Sequence, residues 1–348
     1  MSDVSLREET DLAYSATRNR AARRTVAIQI GLALLIALVF FWSLAIGAVA
    51  VPFGTVVNTL FNLEGDKQVF IVLKSRLPRS VLALLAGGSL ALSGALIQAI
   101  IRNPLASPKI IGINSGAALF ACALVVFFPG IPAVYLPLAA GLGGISAALA
   151  ILLVAQSRPL SPAHLALIGI AVGFLCEAGV DYLLVTTATR EMSAPMVWLT
   201  GSLWGRTWDH VNAVWLPLVA LAAVALVLAH TLDLFGLGEE AATGLGVNVR
   251  IQRLFILLVA ALLASVSVSV VGVMGFVGLM APHIARKLTG GGHKALLSTA
   301  ALTGMLLVVL ADAAGRAIAP PVEISAGILT ALFGAPFFIY IMSTSARS

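Results

Sequence analysis

From Ile110 to Ser157 the chain reads IIGINSGAALFACALVVFFPGIPAVYLPLAAGLGGISAALAILLVAQS, without a single Asp, Glu, Lys or Arg. A bilayer core about 30 Å thick takes roughly 20 apolar residues as a helix, so this run holds two spans. Pro129, Gly130 and Pro132 place a turn between them, because proline inside a helix removes a hydrogen bond and clashes with the preceding turn. The rest of the 348-residue chain has the same character: 60% of it is hydrophobic and only 10% charged, with a mean hydropathy of +1.04. Soluble domains carry roughly 25% charge. The composition therefore argues for a polytopic membrane protein and against soluble catalysis, disorder or a collagen-like chain.

The same search for charge-poor runs, divided at Pro and Gly clusters, predicts ten spans near 26–50, 80–101, 109–128, 133–155, 163–188, 211–230, 254–272, 274–289, 295–316 and 324–343. The eighth is short. Residues 1–25 form a polar, Arg-bearing cytoplasmic tail too mixed in charge for a cleaved signal, so 26–343 is expected as one all-α integral membrane domain. With the N-terminus inside, seven of the 21 Lys and Arg fall outside: Lys67, Lys74, Arg76, Arg79, Arg190, Arg206 and Arg316. The other two-thirds lie inside, which supports an N-in, C-in topology and gives the +6 net charge a topological rather than a nucleic-acid explanation. Arg76 and Arg79, flanking Leu77 and Pro78 at the outer start of the second span, invite the question of which anion they meet; headgroup snorkelling is the plain alternative.

Several motifs are missing. No G-x-x-x-x-G-K-[ST] loop is present to cradle nucleotide phosphates, so energy from ATP would have to enter through a partner. The five histidines are scattered and the two cysteines, Cys122 and Cys176, sit in apolar runs as packing residues, so no metal site is expected. Glu177 and Asp181 are the acids well inside a predicted span, four apart and on one helix face, about 21 and 27 Å from its inner start. They read either as an ion or proton relay or as the lining of a water-filled vestibule near the outer mouth. Arg102-Asn103-Pro104-Leu105-Ala106-Ser107-Pro108 cannot be regular helix, and Ser161-Pro162-Ala163, at the inner start of the fifth span, is a second Pro-bearing turn. Each is an ordinary turn or a constriction in a transport path, since irregular backbone at membrane depth needs protein or a cavity to satisfy it. The polar interruption at 232–253 carries Glu239 and Glu240 at the start of a short helix and Gly244 and Gly246 at its end; its opening acids suit a cytosolic protein partner better than a membrane surface.

Seven ordered blocks resemble a known family: RLPR at 76–79, GGSLALSGALIQ at 87–98, RNPLASPKIIGINSGA at 102–117, LGEEAATGLGV at 237–247, GFVGLMAPHIAR at 275–286, ADAAGR at 311–316 and EISAGILTALFGAPFF at 323–338. The family is that of the membrane permeases of binding-protein-dependent ABC importers for iron-siderophores, haem and cobalamin. WLTGSLWGRTW at 198–208, with Leu288-Thr289-Gly290-Gly291, looks most like its ferric dicitrate subunits.

The resemblance implies a type II ABC importer permease fold of about ten helices in a bacterial inner membrane. It also implies a second permease subunit, a paralogue or an identical copy, around a central path, with two ATPase subunits beneath and an extracytoplasmic binding protein above. ATP and Mg would sit on the ATPases, with no cofactor on this chain and no covalent chemistry in it. By the same resemblance Arg76, Arg79 and Arg316 dock the binding protein. Gly238, Glu239, Glu240, Ala241, Thr243, Gly244, Leu245 and Gly246 take up the ATPase stroke. Asn103, Pro104, Leu105, Ala106, Ser107 and Pro108, with Ser161, Pro162 and Ala163, form a cytoplasmic gate. The implied cargo is a ferric siderophore such as ferric citrate, with cobalamin or haem as alternatives on the same machine. An ion-coupled secondary transporter using Glu177 and Asp181 is the rival of a different class. The long N-terminal tail departs from the family pattern and reads as a charged topology determinant.

Overall fold

A computed structural model describes residues 3–61, 67–128, 130–132, 135–156, 162–186, 197–290 and 292–345, and the described residues are helical apart from their connections. Each of the ten expected spans falls on a helix. In chain order these elements are α1 (Asp3–Ala45), α2 (Phe53–Phe61), α3 (Lys67–Phe70), six residues of π-helix (Ile71–Arg76), α4 (Leu77–Ile101), α5 (Ile113–Phe127) and α6 (Leu136–Gln156). There follow α7 (Pro162–Thr186), α8 (Trp208–Val227), α9 (Ala229–Gly236), α10 (Glu239–Gly244), α11 (Val249–Val271), α12 (Val277–Leu288), α13 (His293–Ala317) and α14 (Ala326–Ser345). Among the described residues seven helices are long and apolar enough to cross a membrane: α1, α4 with its π-helical lead-in, α6, α7, α8 running into α9, α11 and α13. The apolar stretches in α5 and α14 are shorter.

The eighth expected span departs furthest from the sequence reading. It is α12, whose 12 residues rise only about 18 Å and cannot cross a core of about 30 Å. Its start is displaced by an irregular stretch, Gly272–Phe276, in which Gly272 has φ +76° and Phe276, the N-cap, φ +64°. Protein encloses this break. A Cβ on Gly272 would lie 2.1 Å from the Trp198 carbonyl oxygen, and Gly327 N donates to Gly201 O at 2.8 Å, so the segments 198–201, 272–276 and 325–327 interlock backbone to backbone. That is the condition under which non-helical chain is tolerated at membrane depth.

Glycines also set how closely the long helices cross. α4 lies at the centre, packed most extensively against α13 and α11. A Cβ on Gly87 would fall 2.4 Å from Gly304 O, and one on Gly304 would fall 2.3 Å from Gly87 O, so α4 and α13 touch through a reciprocal glycine pair. Gly94 meets Gly278 of α12 equally closely, and Gly116 of α5 meets Gly143 of α6. Without a hydrophobic drive between helices in lipid, such contacts are what hold a bundle. For these glycines close packing is the role; the 87–98 block is the inside of the bundle, and Ser93 Oγ confirms it by donating to Ala260 O of α11 at 2.6 Å.

Polar ends follow local rules. Asn248 Oδ1 caps α11 by accepting from Ile251 N at 3.1 Å, and Thr207 with His210 forms a capping box on α8. Because α4 and α13 run antiparallel, Leu77 and Ala317 share one end of the bundle and Ile101 and His293 the other.

Candidate functional site

At the first of these ends three arginines converge. Arg79, in the first turn of α4, places Nε 2.7 Å from Asp312 Oδ1 and Nη1 2.7 Å from Glu323 Oε2. Arg316, one turn beyond Asp312 on α13, ion-pairs with its Oδ2 at 3.1 Å and donates from Nη1 to Ser43 O and Ile46 O at 2.9 and 2.8 Å. Arg76 donates to Leu44 O at 2.7 Å and to Val49 O. The three are only 6%, 8% and 3% exposed for Arg76, Arg79 and Arg316, and each is held by partners within the chain. Charge at buried positions requires partners, and here carboxylates and helix-end carbonyls supply them. Sequence reasoning missed Asp312 and Glu323. Asp312 was legible as an i, i+4 partner of Arg316 on one helix face; the Arg79 pairing depends on residues more than 200 positions away.

At the opposite end the 232–253 interruption holds one short helix, α10, between the end of α9 and the start of the long α11; the second short helix expected after the glycines is instead the first turn of α11. α10 projects with Glu240, Ala241, Thr243, Gly244, Leu245 and Gly246 exposed, while Ala242 plugs it to the bundle. Gly238 turns the chain into it at φ +106°, a conformation that suits glycine. Leu237 and Leu245 are 65% and 62% exposed, an apolar edge outside the bundle core. The two acids divide: Glu240 is open, whereas Glu239 Oε1 accepts from buried Arg253 Nη2 at 2.5 Å and ties α10 to α11.

The 102–108 turn folds on itself. Arg102 leaves α4 in the left-handed region at φ +54°, Asn103 Oδ1 accepts from Leu105 N at 2.9 Å, and Ala106 N donates to Asn103 O at 3.1 Å. Asn103 and Pro104 are exposed, Leu105 half-buried, and Ala106, Ser107 and Pro108 buried. Of the second turn, Ser161 lies outside the described residues, Pro162 begins α7 and Ala163 is exposed there.

Between the ends, α7 brings together residues that the sequence kept apart. A cavity of about 460 Å³ is lined by Ser107, Lys109, Gly173, Phe174, Glu177 and Phe276. A smaller one of about 150 Å³ is lined by Lys109, Asn114, Ser115, Glu177, Asp181 and Leu199. Glu177 and Lys109 border both, and Ser115 Oγ donates to Glu177 Oε1 at 3.0 Å. The turn after α4 and the acids of α7 thus border two neighbouring cavities that share Lys109 and Glu177. Among the described residues no three His, Cys, Asp or Glu side chains gather as a metal site.

This arrangement, with largely apolar cavities bordered by a few polar groups in a helical bundle and a protruding short helix at one end, has known counterparts. Residues 34–344 match the FecCD transport family. The chain belongs to that family. As a FecCD chain with several long apolar helices, it is a multi-pass membrane permease of the inner-membrane type. It is 44% identical to the Fe(3+)-citrate import system permease protein YfmE of Bacillus subtilis, over 95% of this chain and 98% of that one. With the Fe(3+) dicitrate transport system permease protein FecD of Escherichia coli it shares 38% identity over 91% and 98%. The cobalamin import system permease protein BtuC of Halobacterium salinarum is 41% identical, over 81% and 75%. Among solved structures, an inward-facing conformation of a metal-chelate type ABC transporter superposes with a TM-score of 0.81 at 30% identity, covering 91% of this FecCD chain and 99% of the other.

Proposed function

We propose that this chain is the permease subunit of a binding-protein-dependent ABC importer carrying ferric citrate or a related ferric siderophore inward. The observation that carries the reading is 44% and 38% identity, along nearly the whole chain, to ferric citrate and ferric dicitrate permeases. A chelate that brings its own ligands needs only a weakly binding path. ATP and Mg belong to two partner ATPases, and a second permease subunit, a paralogue in the ferric citrate case, completes the path.

The exposed face of α10, with Glu240, Leu245 and the apolar edge at Leu237, is where an ATPase fits. Glu239, itself exposed, acts by fixing α10 on buried Arg253. The Asn103–Pro108 turn and the start of α7 form the cytoplasmic gate, and Glu177 and Asp181 line the vestibule above it. The binding protein docks at the arginine end, where its carboxylates compete with Glu323, the more exposed of Arg79's two partners, with 26% of its side chain accessible against 2% for Asp312. Rim pairs of that kind govern orientation and capture rate, and weaken in salt.

ATP-dependent uptake into proteoliposomes holding this chain with its paralogue, ATPase and binding protein tests the reading. Ferric citrate, a ferric hydroxamate and cobalamin are compared. Accumulation of a ferric chelate is the expected result; uptake driven by membrane potential without ATP would reject it.

A further inference from the structure

The two regions read above as gate and coupling segment are joined by one side chain. Arg102 Nη2 donates to Phe235 O at 3.1 Å, across 133 positions of sequence. Phe235 lies in α9, its side chain is buried, and its carbonyl oxygen accepts a second hydrogen bond, from Gly238 N at 3.2 Å. Gly238 is the N-cap of α10. The same oxygen therefore closes the turn that launches the short helix and receives the guanidinium of Arg102.

On the other side Arg102 is the residue at which α4 stops. Its φ of +54° breaks the helix, and both its own N–H and that of Asn103 (3.2 Å) return to Gln98 O. Any displacement of the Phe235–Gly238 turn thus pulls on the hinge from which Asn103–Pro108 hangs. Neighbouring bonds brace both anchors. Gln98 Oε1 accepts from Arg286 of α12 at 3.3 Å, and Asp233 Oδ1 accepts from His293 N at 2.9 Å, holding α9 against α13. The hinge is tied to α12 and the helix before the turn to α13, and Arg102 spans the gap between them.

We propose that Arg102 is a positioning residue that transmits movement of α10 to the 103–108 turn. It does so through Phe235 O, touching neither cargo nor nucleotide. A bidentate-capable guanidinium on a long stem suits this, since it can hold a backbone carbonyl while both partners shift. The inference rests on the permease reading of the preceding subsection.

The test is the full transporter in proteoliposomes, wild type against Arg102→Gln and Arg102→Lys, with uptake and ATP hydrolysis measured on the same sample. Expected for Arg102→Gln is near-normal ATP hydrolysis with uptake per ATP reduced roughly 2- to 30-fold, the span seen when single residues along a transmitting path are changed. Arg102→Lys, which keeps a donor, recovers part of the loss. Unchanged uptake per ATP in Arg102→Gln overturns the inference. Failure of the wild type to take up any ferric chelate with ATP rejects the permease reading instead, so the two failures are distinct. A second measurement needs no change at Arg102: spin labels at Asn103→Cys and Gly236→Cys report the hinge-to-turn distance with and without ATP and vanadate. A separation that stays constant while the labelled protein changes conformation supports the link; a separation that changes overturns it.

Discussion

Arg79 Nε and Asp312 Oδ1 lie 2.7 Å apart, with side chains 10% and 2% accessible, and this pair fastens the start of α4 to the last turns of α13. Asp312 also holds Arg316 at 3.1 Å, so one carboxylate serves two guanidiniums. The basic motif at this end is thus part of the scaffold before it is anything else.

Removing that carboxylate leaves buried positive charge unpaired. Asp312→Ala is expected to destabilise the purified protein by about 3–5 kcal/mol, the range for breaking one side of a buried pair. Thermal unfolding in detergent or nanodiscs checks it, and a melting temperature equal to wild type would contradict the assignment.

Glu323 offers the opposite experiment. Its side chain is 26% accessible, so Glu323→Gln should fold normally while freeing Arg79 Nη1. Tighter capture of the binding protein at low ionic strength is expected, an advantage that fades toward 1 M salt, where screening acts within about 3 Å. Weaker capture by the variant would show that Glu323 itself makes the docking contact.

The glycine pair between α4 and α13 predicts a steric effect without any charge. Gly87→Val puts atoms where Gly304 O stands, 2.4 Å from the ideal Cβ position, and neither backbone can yield cheaply. A loss of at least about 1–3 kcal/mol follows, as for overpacked cores. Gly31, with nothing within 4 Å of its Cβ position, provides the control: Gly31→Val should leave melting nearly unchanged.

Glu239 and Glu240 should separate in function although they are adjacent. Glu239→Gln weakens the charge-assisted bond to Arg253, lets α10 loosen from α11 and lowers uptake per ATP. Glu240→Gln leaves that bond intact and is expected to alter chiefly the affinity for the ATPase. Equal losses of uptake per ATP in both variants would count against the division.

The element order was legible because each apolar run has a length the bilayer dictates, and inside lipid such a run satisfies its backbone only as helix. The 110–157 stretch reads as α5 and α6, with residues 130–132 non-helical between them; Pro129 lies outside the described residues. α12 was the exception. Composition cannot distinguish a span from a shorter helix preceded by irregular chain, because the partners of that chain, at Trp198 and Gly201, come from another part of the sequence.

The site was legible in its residues and not in their connections. Arg76, Arg79 and Arg316, Glu239, the Asn103–Pro108 turn and Glu177 were all visible as unusual groups in an apolar chain. Sequence by itself determined which segments are helices and where charge interrupts them, since hydrogen-bond satisfaction and apolar length are local properties. Only the tertiary structure decided that Arg79 turns inward to Asp312 and Glu323, that Arg76 reaches the carbonyls at and beyond the end of α1, that Glu239 faces Arg253 and that Arg102 reaches Phe235. Those pairings depend on how closely helices cross, and the crossing is set by glycines on different helices meeting backbone to backbone, a relation no single segment contains.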